Sequence, residues 1–334
     1  MTTPYVIGIG NAVMDLIAPV PESALDELAI RKGVMQLIER DRAEELTACL
    51  ARIATAPARQ VPGGSVANTL AGIGMMGLRT AFVGRVADDG LGRAYAQQTS
   101  ASGTAFVNPP VPDAQLPTSR CIILVTPDGE RSMNTYLGDS ALFGPEDVEP
   151  GVFQGAGWLF LEGYLFDRPQ GKEAFSKAAS ACRAAGGQAG IALSDPFCVD
   201  RHRADFRRLV AGPMDYVIGN QHEWLSLYQS DDLESALTQA AADCDLVVCT
   251  RSDRDAVLIC RGERVTVPVR PVVPVDATGA GDQFAAGLIY GLAIGASLEA
   301  AGRMGCIAAA EVISHVGPRP ERDIAADFRA QGLI

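Results

Sequence analysis

Short, almost wholly apolar runs alternate along the chain with longer stretches in which apolar residues recur every three or four positions. The first run, Tyr5-Val-Ile-Gly-Ile-Gly10, has no polar face and ends in glycine, the pattern of a buried strand in a parallel sheet. Met14–Val20 continues extended and carries Asp15, and a helix is predicted near 41–54. From Ser65, the apolar positions Val66, Leu70, Ile73 and Met76 keep helical spacing and Gly77 offers a C-terminal stop; Thr80–Val83 is the next strand. The proline-rich piece 108–117 reads as a surface linker, and Pro127-Asp-Gly129 joins two extended runs, 120–126 and 130–136, as a hairpin. Beyond it come Trp158–Glu162, a helix over 170–185, Gln188–Ser194, a helix over 202–211, Tyr216–Gly219, and helices over 221–228 and 232–242. Leu246–Cys249, a hairpin over 255–267, a helix after Asp282 and another from Ser297 to about His315 complete the series. Repeated strand–helix units over one core predict an α/β fold, a doubly wound, mostly parallel sheet with helices on both faces.

Composition and charge remove several classes. With 334 residues, 48% of them apolar and only 20% charged, the chain can bury a sizeable core and is globular rather than disordered. Its formal charge of −12 argues against a nucleic-acid surface or an anionic membrane, but says nothing about a local phosphate pocket. Eight scattered cysteines without a C-x-x-C pair read as buried thiols of an intracellular protein. No basic, signal-like N-terminus is evident, and the uncharged run 283–298 is too short to span a bilayer. A soluble, cytoplasmic monomer or homodimer that handles a small molecule is the expectation.

The chemistry centres on Asp276-Ala-Thr-Gly-Ala-Gly-Asp282, which runs directly into an apolar helix. Glycines let backbone N–H groups approach a ligand, and the first N–H groups of a helix lack partners at its positive end, which suits an anion. Asp282 would repel that anion unless it serves as the base that takes a proton from an attacking hydroxyl; the plainer alternative is a helix-start acid. No G-x-x-x-x-G-K-[ST] occurs, so a P-loop kinase is excluded. Gly8-Ile-Gly10-Asn-Ala-Val13 lacks the third glycine of a dinucleotide site. Gly63-Gly-Ser65-Val-Ala67 lacks the last glycine of a hydrolase nucleophile elbow.

The segment 276–284 resembles the signature D-T-x-G-A-G-D-x-F of the PfkB (ribokinase-like) carbohydrate and nucleoside kinases. Pro62-Gly-Gly-Ser-Val-Ala-Asn68 and Val83–Gly92 resemble the N-terminal signature of the same family, and the likeness covers nearly the whole chain. The resemblance implies one kinase domain over 1–334 with a ribokinase-like sheet and a small β-sheet lid formed by segments near 14–38 and 118–136. It implies ATP and Mg²⁺ as cofactors and, in many members, K⁺.

Carried onto this sequence, the resemblance makes Asp282 the base and Gly279, Ala280 and Gly281 the anion hole. Asp15, Gly63, Gly64 and Asn68 would meet the acceptor; Asp15 and Asn68 suit a polyol, although a strand-end acid and a helix-surface amide would look the same. Asn220-Gln-His-Glu223 matches an N-x-x-E motif that holds water around Mg²⁺, and equally a helix-capping pair. Thr250 and Ser252 fit a nucleotide loop in which Asp255 replaces the family glycine; Gly281 and Asn220 would also face ATP. Glu311–Pro320 resembles the loop that closes the adenine pocket and, with Asp276, a monovalent-cation site. The run 28–38 and the stretch Glu162–Leu165 resemble the adenosine-kinase-like branch. They point to a nucleoside, adenosine first, with a sugar kinase of the ribokinase or fructokinase type as the alternative and a silent binding protein on the same fold as another.

Overall fold

Most apolar runs become strands and most periodic stretches helices along Tyr5–Ile334, the residues that the computed structural model describes. The order begins β1 (Tyr5–Ile9), β2 (Val13–Pro19), α1 (Ser23–Glu27), β3 (Met35–Leu37), α2 (Arg40–Ile53), β4 (Arg59–Gly63), α3 (Ser65–Met75), β5 (Arg79–Val83), α4 (Gly90–Ala101) and β6 (Thr104–Phe106). It continues β7 (Ser119–Val125), β8 (Arg131–Tyr136), β9 (Trp158–Glu162), α5 (Pro169–Ala184), β10 (Gln188–Ala192), α6 (Pro196–Val210), β11 (Tyr216–Asn220), α7 (Gln221–Tyr228) and α8 (Leu233–Asp243). It closes with β12 (Leu246–Arg251), β13 (Arg254–Cys260), β14 (Glu263–Val267), α9 (Ala280–Ala293), α10 (Leu298–Val312) and α11 (Ile324–Ala330).

The large sheet has nine strands in the order β14-β13-β12-β11-β10-β9-β1-β5-β6, parallel from β6 to β12, with β13 and β14 added as an antiparallel hairpin. Two apolar layers cover it. The layer under α5 to α8 includes Phe175, Phe206 and Trp224; the other, under α3, α9 and α10, includes Leu70, Leu288 and Met304. α9 is buried continuously from Gln283 to Gly291, as a helix apolar on all sides requires. The order reverses between β1, whose sequence neighbour β5 lies on one side, and β9 on the other. Ligands of open α/β sheets bind at the carboxyl ends of such strands.

A second sheet, β3-β8-β7-β2-β4, stands over that edge. It contains the expected segments 14–38 and 118–136 and one strand that the apolar pattern does not predict, β4. Pro62 argues against a strand there, yet β4 is an edge strand paired only with β2, where a missing N–H costs no ladder bond. The helix expected from 202 begins instead at Pro196, capped by the Asp195 side chain, and residue 202 marks a non-helical kink within it. The apolar pattern does not predict α4 either: only Gly92, Tyr95 and Thr99 of its twelve residues are buried, too few to write a clear stripe. All eight cysteines are free, and all but Cys49 and Cys260 are buried. Among the described residues no helix is long and apolar enough to cross a membrane.

Candidate active site

Gly279 ends the loop before α9 at φ +81°, and a Cβ there would lie 2.6 Å from Pro318 Cα, so only glycine fits the turn. The N–H of Ala280 donates to Ala277 O at 3.2 Å, while those of Gly281 and Asp282 find no acceptor among the described residues. Where Gly281 could carry a Cβ there is open space. Two free donors thus stand at the positive end of a 14-residue helix, an anion-binding arrangement. Asp276 braces the turn. Its Oδ1 accepts from the N–H and hydroxyl of Thr278 (3.0 and 2.6 Å), and its Oδ2 accepts from Gly317 N–H (2.9 Å). Burial pushes its carboxyl upward, but these bonds and the nearby Arg131 charge hold it below its ordinary value. Arg131, on β8 of the small sheet, lies 3.3 Å from Asp276 Oδ2 with its side chain 7% exposed, and its Nε and Nη2 have no partner among the described residues.

Asp282 lies in the first turn of α9, where Ser65 Oγ donates to Oδ1 (2.6 Å) and Asn68 Nδ2 to Oδ2 (3.1 Å). Burial raises its pKa to about 6, while those two bonds and the Arg319 charge pull it back. Asn68 is buried on α3, and its Oδ1 accepts from Arg319 Nε at 3.2 Å. Asp15 projects from β2 against Gly63, where an added Cβ would sit 2.4 Å from its Oδ2. Its carboxylate accepts no hydrogen bond within the protein among the described residues, and burial raises it to about 7 against the charges of Arg319 and Arg131. Gly64, at φ +101°, brings its Cα so close to the Asn11 carbonyl that a Cβ would lie 2.3 Å from it. Asp282, Asn68, Gly63 and Asp15 are therefore one cluster, as expected from the sequence.

Beneath them, at the switch between β1 and β9, lies a buried carboxylate that sequence reasoning did not assign. Glu162 accepts from the N–H and side-chain amide of Asn11 (2.7 and 2.8 Å) and from Val66 N–H (3.2 Å), so it ties β1, β9 and the start of α3 together. Burial lifts its pKa to about 7 despite those bonds. A lone acid ending the apolar run Trp158–Leu161 was the signal available. Arg131 and Arg319 were also missed. One follows a hairpin turn and the other sits between two prolines, and neither lies on a periodic stretch.

The residues expected to meet the nucleotide form a second group. Asn220 ends β11 and pairs with Thr250 of β12. Its Oδ1 accepts from the N–H groups of His222 and Glu223 (2.9 and 3.0 Å), while both Glu223 oxygens accept from Asn220 (2.6 and 2.8 Å). The pair is a complete capping box, with Glu223 buried and raised to about 7 by that burial. Ser252 occupies the tight turn of the β12–β13 hairpin at φ +57°, and Asp255 lies within β13 rather than in the turn. Among the described residues no group of three or more His, Cys, Asp or Glu side chains is placed to hold a metal ion. The loop 311–320 is organised by buried Glu311, which accepts from the N–H groups of Glu321 and Arg322 at 3.2 Å, and it delivers Arg319 to Asn68.

A cavity of about 660 Å³ opens between the small sheet and the carboxyl ends of β1 and β9. Leu37, Tyr136, Leu137 and Tyr164 line one part of it and the charged Arg40, Asp167 and Arg201 another, with Asn11 at its inner end. It adjoins the Asp282 cluster through Asn11 and Gly64 rather than containing it.

The model of the pfkB family carbohydrate kinases matches residues 39–324. A fructokinase from Klebsiella pneumoniae is 31% identical over 241 residues, 70% of this chain and 78% of the relative. An aminoimidazole riboside kinase from Salmonella typhimurium is 29% identical over 250 residues, 69% and 73% of the two chains. Among solved structures, a probable sugar kinase protein from Rhizobium etli is 42% identical with a TM-score of 0.89 and covers 100% of both chains. An adenosine kinase from Sinorhizobium meliloti is 42% identical with a TM-score of 0.87, covering 99% of this chain and 100% of the other.

Proposed function

The chain belongs to the pfkB family of carbohydrate kinases, which phosphorylate an alcohol group of a sugar or nucleoside, and from that premise we propose that its acceptor is a nucleoside, adenosine first. The observation that carries this reading is the wall of the 660 Å³ cavity. Leu37, Tyr136, Leu137 and Tyr164 offer apolar and aromatic surface suited to the face of a flat base, while Glu39, Arg40, Asp167 and Arg201 on the same wall could meet its polar edge. The adenosine kinase from Sinorhizobium meliloti at 42% identity supports the same choice. The fructokinase relative favours a sugar as the second reading.

In the proposed reaction Asp15 accepts hydroxyl hydrogens from the ribose, a task for which its unpaired carboxylate is free. Asp282 takes the proton of the attacking hydroxymethyl oxygen as that oxygen bonds to the γ-phosphorus and the bond to the ADP oxygen breaks. A pKa near 6 leaves Asp282 ionised at neutral pH yet basic enough to receive the proton. The N–H groups of Gly281 and Asp282 and the unpaired N–H groups of Arg131 stabilise the charge on the phosphoryl oxygens. Asn220, Thr250 and Ser252 line the nucleotide side, and the small sheet acts as the lid that excludes water. When bound, Mg²⁺ would supply positive charge to the phosphates, and Asn220 and Glu223, which already bond each other, are the residues that would hold its water. Potassium at Asp276 would share that carboxylate with Arg131.

ADP release with MgATP across adenosine, other nucleosides, aminoimidazole riboside, ribose and fructose tests the reading. Adenosine should give the highest kcat/KM. A hexose preferred by tenfold or more would replace the nucleoside with the sugar reading.

A further inference from the structure

We propose that Arg319 is a positioning residue for phosphoryl transfer: through the Asn68 side chain it fixes the carboxylate of Asp282. The inference rests on the kinase reading above and adds a residue to it. A guanidinium has donors only, so the Asn68 atom that faces Arg319 Nε at 3.2 Å has to be Oδ1. The amide nitrogen is thereby turned to Asp282 Oδ2, 3.1 Å away. While Asp282 is ionised it favours that orientation itself. Once it has taken the acceptor's proton its pull on the amide N–H weakens, and Arg319 then holds the amide against turning over. The base is then returned to the same geometry for the next turnover.

Arg319 is itself held by the phosphate-binding turn. Gly317 N–H donates to Asp276 Oδ2 (2.9 Å), and Gln283 Nε2 donates both to Pro318 O and to Asn68 O (3.0 Å each). The guanidinium also donates to Pro62 O on β4, so one side chain from the loop braced against the turn touches both α3 and the small sheet. It makes no ion pair within 4 Å of a carboxylate among the described residues, which is why its action runs through Asn68. Its charge nevertheless faces Asp282 on α9 and Asp15 on β2. The other charged groups of the site are Glu162 on β9, which also faces Asp282, Arg131 on β8, which faces Asp15, and Asp276 in the turn, which pairs with Arg131.

The test compares Arg319→Met and Arg319→Lys with the wild-type chain. With the best acceptor of the panel, Arg319→Met should lose about ten- to a hundredfold in kcat with KM for MgATP within about twofold, as removal of an orienting group predicts. The low-pH limb of its kcat profile should move to higher pH, because the cation that favours ionised Asp282 is gone. Arg319→Lys should restore the limb and part of kcat. A folded Arg319→Met protein with wild-type kcat and an unmoved limb overturns the proposal, and so does a kcat loss with an unmoved limb and no recovery in Arg319→Lys. If Arg319→Met does not fold, Arg319→Gln carries the same expectations. Carboxyl ¹³C NMR of the ligand-free protein, with the Asp282 signal assigned from Asp282→Asn, needs no turnover. The midpoint should rise in the Met variant, and an unchanged midpoint overturns the proposal. A wild-type chain inactive on the whole panel would end the kinase reading yet leave this measurement decisive for Arg319.

Discussion

Asp282 sits where two demands meet, next to free N–H groups that favour an anion and at a pKa of about 6 that favours proton uptake. If it is the base, Asp282→Asn should lower kcat by about 10²–10⁴. Affinity for ATP should hold or improve slightly, since the repulsive charge is lost. A folded variant that keeps more than about a tenth of wild-type kcat would reduce Asp282 to a helix-start acid, for which general acid–base effects of this size do not apply. In the wild-type enzyme kcat should fall on acidification through about pH 6, as the base becomes protonated. That Asp282, Asn68 and Asn220 stand near the starts of helices was legible because each sits in a motif, whereas Asp15 was reached only through the family resemblance. Arg131 and Arg319 were not, because what they do depends on which loops the fold brings back onto α9.

At the scale of elements, the turn into α9 separates two glycines that look alike in the sequence. Gly279 has a positive φ and Pro318 against it, so Gly279→Ala should cost about 1–3 kcal/mol of stability and most of the activity. Gly281 is helical with open space at its Cβ position, so Gly281→Ala should fold as well as wild type or better by up to about 1 kcal/mol. Its effect should be confined to turnover and nucleotide affinity. Thermal melts with steady-state kinetics check both, and equal melting temperatures for the two variants would remove the distinction. The capping box of α7 yields another expectation. Asn220→Ala should cost about 1 kcal/mol, since it strips the cap from His222 and Glu223 N–H. A Mg²⁺ titration of Glu223→Gln separately tests the metal role, which predicts a higher Mg²⁺ requirement. Long periodic helices such as α5 and α10 were readable from their spacing. β4 and α4 were hidden for opposite reasons, one by a proline that an edge tolerates and the other by a face too polar to register.

Across the whole molecule, three buried acids gather where the sheet reverses order and a fourth, Glu223, lies at the start of α7, and together they set how stability depends on pH. Asp15, Glu162 and Glu223 are each raised to about 7 and Asp282 to about 6, burial being the leading cause for all four. Each folded-state value lies above its unfolded value near 4, so the folded protein binds more protons between about pH 4 and pH 7. Stability from these groups is therefore fully present below about pH 4 and is lost as pH rises through about 6 to 7. The ligand-free enzyme should melt higher at pH 6 than at pH 8, before exposed ion pairs begin to fail at lower pH. A tenfold tighter hold on a proton in the folded state is worth about 1.4 kcal/mol, so even one such group moves the melting temperature by a few degrees. Asp15 is the cleanest probe because it accepts no hydrogen bond that a substitution would break. Asp15→Asn should raise the ligand-free melting temperature at pH 8, flatten the slope between pH 6 and pH 8, and raise KM for the acceptor with little change for ATP. Such a gain in stability with a loss in binding is what a charge kept for a substrate implies. A wild-type slope in Asp15→Asn, or equal KM increases for both substrates, would remove Asp15 from the acceptor site.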